Sequence, residues 1–560
     1  MRLKWLLGTV LALAPAVTAA DVEPAPAVGH ICGAAAPDDS QPAPAAAPAQ
    51  KLLTGYGTGG FPIRTSSPQA QAYFDNGMQL AHAFAHKPAI AAFQEAQKLD
   101  PNCAMCAWGE AWSRGPTINY PVDRKTQAEL AAIADRAAAL AKDGPVKEQR
   151  LIAALQKRYH KGGGAGPGDF AFAKDMDQLA RDNPTDNEIA IVAADAWMIP
   201  AAAKYSQDNL NRALELIGGA LTRKPDDTGA IHFYIHATEM DGIGGQAEKY
   251  ADTLQRLAPS ASHLVHMPSH TYYIVGRYQD AVRANQDAAQ LDIANAKRQG
   301  LGGDPWLLTY HAHNVQFATG AALMSGDGPA ALAQADAVFD HLAHGTEGGV
   351  WDQVGAGTAY FAEGRFATPE QVLALPDPGP KKPYLQAMWR YARGEAYARR
   401  GDAAGVRREL ALVQVKPSDL KPFDDFASSA QAMVDVAHSV LAGRAAMIEG
   451  QPALAAAAYR TAAQIQEAKL VRVSDPPIWW YPVRRSLAAA LLSEGQADQA
   501  AAEARKTLKA WPNDPVTLAV LAQAETKMGD GKSADLHLAQ AKAAWHGVTK
   551  LAVVARPAGA

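Results

Sequence analysis

Two short stretches of the chain concentrate residues able to ligate a metal. In HFYIHATE, residues 232–239, His232 and His236 stand four apart and Glu239 comes seven after His232. In HLVHMPSH, residues 263–270, His263, His266 and His270 stand at i, i+3 and i+7. On a helix, each set shares one face. Imidazole and carboxylate suit zinc, copper, iron or nickel, and three or four ligands with an open position can activate water. The same pattern also fits an organic or peptide ligand gripped by the histidines, or a structural ladder of hydrogen-bonded imidazoles. Neither string is HExxH, and the chain has no phosphate-binding loop and no GxSxG elbow, so no nucleotide cofactor is expected.

A second candidate is CAMC, where Cys103 and Cys106 follow the helix stop Asp100-Pro101-Asn102. Attachment of a c-type haem needs His directly after the second cysteine, and residue 107 is Ala, so haem is excluded. A thioredoxin-like redox site needs a βαβ context that the pattern lacks. Three readings stay open: a local disulfide, a four-ligand metal site completed by His30 and Cys32, or free thiols.

The elements that position these residues follow from composition and period. The chain has 560 residues, 48% hydrophobic and 20% charged, which suits a globular protein. Its 53 basic and 57 acidic side chains leave no basic excess, which argues against a nucleic-acid partner. Abundant alanine and 7% aromatics favour closely packed helices. The opening MRLKWLLGTVLALAPAVTAA has Arg2 and Lys4 ahead of an apolar run and a small-residue end, and reads as a cleavable secretory signal over 1–20. That implies a periplasmic or secreted protein, in a compartment that permits disulfides. No later apolar run is long enough to span a membrane. Residues 21–60 read as an Ala/Pro-rich linker.

The rest of the chain carries a period of 34 residues. Ala213, Ala247 and Ala281 are 34 apart, as are Pro225 and Pro259, Gly495 and Gly529, and Ala500 and Ala534. The alanines allow two helices to approach closely, and the prolines end the second helix of each unit. At these residues the chain resembles the tetratricopeptide repeat (TPR) family, best in WRYARGEAYARRGD, Trp389 to Asp402. The resemblance implies an all-α fold, a right-handed superhelical TPR solenoid of antiparallel helix pairs. The register places units near 70, 104, 194, 228, 262, 312, 350, 387, 436, 481 and 515. Residues 120–190 fit it poorly, 292–311 read as an insertion, and 376–383 as a loop. We divide the array into an N-terminal region, 61–190, central units, 191–345, and C-terminal units, 346–560.

The TPR resemblance also implies that the first helix of each unit faces a concave groove, with the second, fifth, ninth and twelfth places meeting ligand. The unit at 228 puts His232, His236 and Glu239 at places five, nine and twelve. The unit at 262 puts His263, His266 and His270 at two, five and nine. The unit at 312 puts His313 and Gln316 at two and five. The candidate ligand-binding set is therefore His232, His236, Glu239, His263, His266, His270, His313 and Gln316. Within it, His232, His236, Glu239, His266 and His270 are the expected metal ligands, for zinc, copper or iron. A protein or peptide partner in the groove is expected beside it, and a metal-dependent hydrolytic or oxidative enzyme is the alternative. The strings HFYIHATE, HLVHMPSH, YHAHNVQF and WWYPVR resemble those of a secreted bacterial TPR subgroup, over roughly 70–540. That subgroup tends to carry His where this chain has Gln316, and G-P-N-x-N where it has GPTIN, Gly115 to Asn119. Pro268, inside HMPSH, calls for either a kink or a late helix start.

Overall fold

The computed structural model describes residues 51–162, 166–344, 350–470, 475–548 and 551. The signal segment, His30 and Cys32 lie outside the described residues. Within them the chain forms 25 α-helices and three short 3-10 helices, with no strand. The fold is an all-α solenoid in which successive helices pack as antiparallel pairs. None of these helices is long and apolar enough to cross a membrane.

Local chemistry explains where the helices begin and end. Asp186, Ser206 and Asp227 cap the helices Asn187–Ala203, Gln207–Arg223 and Thr228–Met240, each accepting a hydrogen bond from an amide of the first turn. Proline opens Pro68–His82, Pro383–Arg399 and Pro515–Lys527, where its missing N–H costs nothing. The repeat alanines Ala213, Ala247, Ala281 and Ala500 are fully buried between paired helices.

The 34-residue register locates most first helices. Helices start at Ala104, Thr228, Ser262, Val350 and Pro515, and at His311 for the unit placed at 312. Two units start well before the register places them, by seven and nine residues. Asn187–Ala203 begins at its Asp186 cap, and Ala427–Ile448 is extended to 22 residues by the 3-10 turn that feeds it. Residues 120–190 hold three helices, Arg124–Leu140, Val146–His160 and Pro167–Asp182, which accounts for the lost period. The insertion read over 292–311 is partly helical, because Tyr278–Arg298 runs on into it. Ahead of Pro268 the helix is interrupted: Ser262–His266 and Pro268–Val275 join through Met267, which keeps right-handed helical angles.

A one-dimensional array would contact only its neighbours. This one closes on itself. Tyr278 Oη donates to the Pro512 carbonyl at 3.2 Å, Asn513 Nδ2 to the Val275 carbonyl at 3.2 Å, and the His546 amide to the Ser325 carbonyl at 2.8 Å. The end of the Ala/Pro-rich segment, residues 51–60, also lies against the helices. The Ser260 amide donates to the Gly55 carbonyl at 2.8 Å, and the Thr58 amide to Thr228 Oγ1 at 2.7 Å.

Closure depends on a glycine. Gly276 has φ +80°, and a Cβ there would lie 1.9 Å from the Pro512 carbonyl oxygen. Gly529 has a similar φ, +83°, but open space around it. Gly276→Ala therefore pays for both strain and collision, and should cost about 2 kcal/mol or more, against about 1 kcal/mol for Gly529→Ala. Urea unfolding of the two variants checks this; equal midpoints would show that the 276–512 contact does not hold the ends together.

Candidate metal centre

The central helices bring six imidazoles into one buried cluster. His232 and His236 come from Thr228–Met240, His263 and His266 from Ser262–His266, His270 from Pro268–Val275, and His313 from His311–Ser325. None is more than 3% exposed. This corrects the expectation of histidines lining an open groove: the closing of the chain puts them inside. Two groups of three have their ligand atoms within 4.8 Å of one another. They are His232, His236 and His263, and then His266, His270 and His313. A third group of this kind joins His270 to Glu239 and Asp475.

Aromatic rings wall the cluster. Phe84 stacks on His263 at 5.0 Å and meets His232 edge-on at 4.4 Å. Tyr310 lies 4.5 Å from His263, and its hydroxyl accepts from Asn119 Nδ2 at 3.1 Å, so the inserted segment and the GPTIN loop both close this end. Phe317 packs at 4.6 Å from His270 and 5.1 Å from His266. Phe84 takes a left-handed backbone, φ +51°, which costs a non-glycine residue about 1–2 kcal/mol.

Hydrogen bonds set the tautomers. His232 Nδ1 lies 2.7 Å from the His82 carbonyl, which can only accept, so Nδ1 carries the proton and the Nε2 lone pair is bare. His232 Nε2 faces His263 Nε2 at 3.1 Å. Asn285 Nδ2 donates to the Ala281 carbonyl at 2.7 Å, which leaves its oxygen to accept from His266 Nδ1 at 2.6 Å. His270 Nδ1 pairs with Glu239 at 2.8 Å and lies 2.9 Å from Asp475. His266, with its proton at Nδ1, turns a bare Nε2 lone pair toward His270 Nε2, 2.9 Å away. Beside them, neither nitrogen of His313 has a hydrogen-bond partner among the described residues.

Burial keeps five of the imidazoles neutral. It pushes His232 down to about 3, and His236, His263, His266 and His313 well below the ordinary 6.5, with their neighbouring imidazoles adding to the shift. Burial also raises Glu239 to about 8, and raises Asp475, next to Glu239, to about 7. Neutral imidazole is the metal-binding form. Three imidazoles leave a coordination position open.

Other sequence candidates fall elsewhere. Glu239 sits behind His270 rather than among the six rings. Gln316 is on the far side of His311–Ser325, in a separate pocket with Trp306, His341 and Thr358. Cys103 and Cys106 form a buried disulfide. Trp479, Trp480 and Tyr481 are buried and pack at a helix junction. Sequence reasoning missed Asp475, Phe84, Asn285 and the neighbouring His82 and His86. His82 and His86 share the i,i+4 spacing of the other candidates and could have been found by it. Burial disfavours the His82 cation, but Glu188 at 2.8 Å outweighs it and raises the pKa. His86 is lowered to about 4 by burial.

No protein-family profile matches the chain, and no curated protein matches it. Solved structures resemble it at low scores. A human IFIT1 dimer with PPP-AAAA aligns over 85% of this chain and 91% of its own, at 13% identity and a TM-score of 0.29. The APC/C hetero-tetramer Cut9-Hcn1 aligns over 84% and 93%, at 12% identity and 0.23. The TPR domain of P58(IPK) aligns over 83% and 99%, at 11% identity and 0.22. Likenesses this low assign nothing to the chain beyond its own geometry.

The depressed imidazoles have a consequence in solution. In chelator-treated protein, the ring signals of His232, His236, His263, His266 and His313 should not titrate between pH 8 and 5 in NMR spectra. The unfolded chain takes up protons at these rings below about pH 6.5 and the folded chain does not. Each ring therefore favours unfolding by ~1.4 kcal/mol per pH unit as the pH falls through that range. Midpoints near 6.5 for these five rings would show that the cluster is open to water.

Proposed function

We propose that this chain is a helical-repeat scaffold built around a buried transition-metal centre, in the periplasm or outside the cell. The observation that carries the reading is the trio of His266, His270 and His313, whose ligand atoms all lie within 4.8 Å of one another, with a bare His266 Nε2 2.9 Å from His270 Nε2. A proton on His270 Nε2 would meet His266 but leave both nitrogens of His313 without a partner among the described residues. A metal ion meets all three rings at once. Nitrogen-only ligation suits copper or zinc better than the oxygen-seeking magnesium, calcium or manganese.

The surroundings support the same reading. Metal-bound histidines typically donate their other N–H to a carboxylate or carbonyl, as His232 does to the His82 carbonyl. The amide oxygen of Asn285 accepts in the same way from His266 Nδ1, and Glu239 stands at His270 Nδ1. A peptide lying in the groove would not touch these rings, since all six are buried. The secretory segment at 1–20 and the Cys103–Cys106 disulfide agree with an oxidising compartment.

Metal analysis of the mature, untagged protein tests the proposal. Near-stoichiometric copper or zinc is expected, retained through gel filtration. Asn285→Leu should weaken its retention 10–100-fold in competition with a chelator, with the helical circular dichroism unchanged. Protein that holds no metal and takes up none on reconstitution would leave the imidazoles as a structural ladder.

A further inference from the structure

The two groups of three imidazoles are the same construction, made twice. In the 34-residue register, His232 and His236 occupy places five and nine of the unit at 228, and His263 occupies place two of the next unit. His266 and His270 occupy places five and nine of the unit at 262, and His313 occupies place two of the unit after that. The structure gathers each trio separately. Each contains one short Nε2–Nε2 approach, 3.1 Å for His232 and His263 and 2.9 Å for His266 and His270. Tetrahedral bonds of about 2.0–2.1 Å from one ion to two imidazole nitrogens place those nitrogens about 3.3–3.4 Å apart, so each pair need open by only a few tenths of an ångström to take an ion. The trios abut through His236 and His270, with ring centroids 5.5 Å apart, and through His263 and His266, at 5.6 Å.

We infer that the chain holds two transition-metal ions side by side, one in each junction between successive units. This rests on the metal reading above and goes beyond it in number and in origin. The series stops at two for a reason visible in the register. The unit at 312 has Gln316 and Gly320 at places five and nine, and the unit at 194 has Met198 and Ala202 there. Neither pair can ligate through nitrogen as imidazoles do.

The two sites are not equal. The trio of His266, His270 and His313 is backed by Asn285, Glu239 and Asp475. In the other trio, the His82 carbonyl backs His232, and His263 Nδ1 has no hydrogen-bond partner among the described residues. Outer partners of this kind are worth 10–100-fold in affinity. The second trio therefore fills first and the first trio last.

Titration of the chelator-stripped full chain with Zn2+, and separately with Cu+ under anaerobic conditions, tests this. Two equivalents are expected for at least one of the metals, in two steps separated 10-fold or more. His313→Leu should remove the tighter step and His236→Leu the weaker, each leaving one equivalent. Circular dichroism identifies a variant that has failed to fold, and the wild-type stoichiometry stands independently of both variants. One equivalent in the wild type, lost entirely in either folded variant, would overturn the two-ion centre while leaving the metal site intact. No uptake of either metal would overturn the metal reading itself.

Discussion

A buried imidazole brings one donor and one acceptor, and both must be met. Six of them packed together, with little else polar among them, pose a problem that hydrogen bonding alone does not solve. Where His232 and His266 commit their protons outward, to a carbonyl and an amide oxygen, their inward nitrogens carry only lone pairs. His313 has no hydrogen-bond partner at either nitrogen among the described residues. An uncompensated polar group in such a place costs about 1–3 kcal/mol. A metal ion turns these unmet nitrogens into a set of bonds. The outward hydrogen bonds and the aromatic walls make sense as supports for that arrangement, since they fix each ring's tautomer and keep water out.

The closing of the solenoid serves the same constraint. Asp475 reaches His270 from a segment about 200 residues away in sequence, and Tyr310 covers His263 from the insertion ahead of the next repeat. Phe84 fills the remaining side at the cost of a left-handed backbone. Strain of this kind persists where the surroundings over-determine it, and it collects at functional sites. The contacts of Gly276 with Pro512, and of residues 51–60 with Thr228 and Ser260, keep the distant parts of the chain in place around the centre.

The repeat was legible because its physics is local. Alanines that let helices approach, and glycines and prolines that end them, recur every 34 residues, and the histidines ride on the same register. That register brought His232, His236, His263, His266, His270 and His313 into view together. It could not show that they would be buried, because burial depends on closure, and closure depends on contacts between residues hundreds of positions apart. Asp475 was invisible for the same reason. Gln316 was misplaced because a place in the register names a helix face only approximately: its side chain turns toward Trp306 and His341 instead. The early starts of Asn187–Ala203 and Ala427–Ile448 were missed because a cap and a 3-10 turn lengthened those helices beyond the repeat.

X-ray absorption at the copper or zinc edge of the reconstituted full chain asks directly what surrounds the metal. A shell of nitrogen alone, with the outer scattering of imidazole rings, is the result that follows from the buried cluster. A shell dominated by sulfur, or by oxygen without imidazole scattering, would place the metal elsewhere and contradict it.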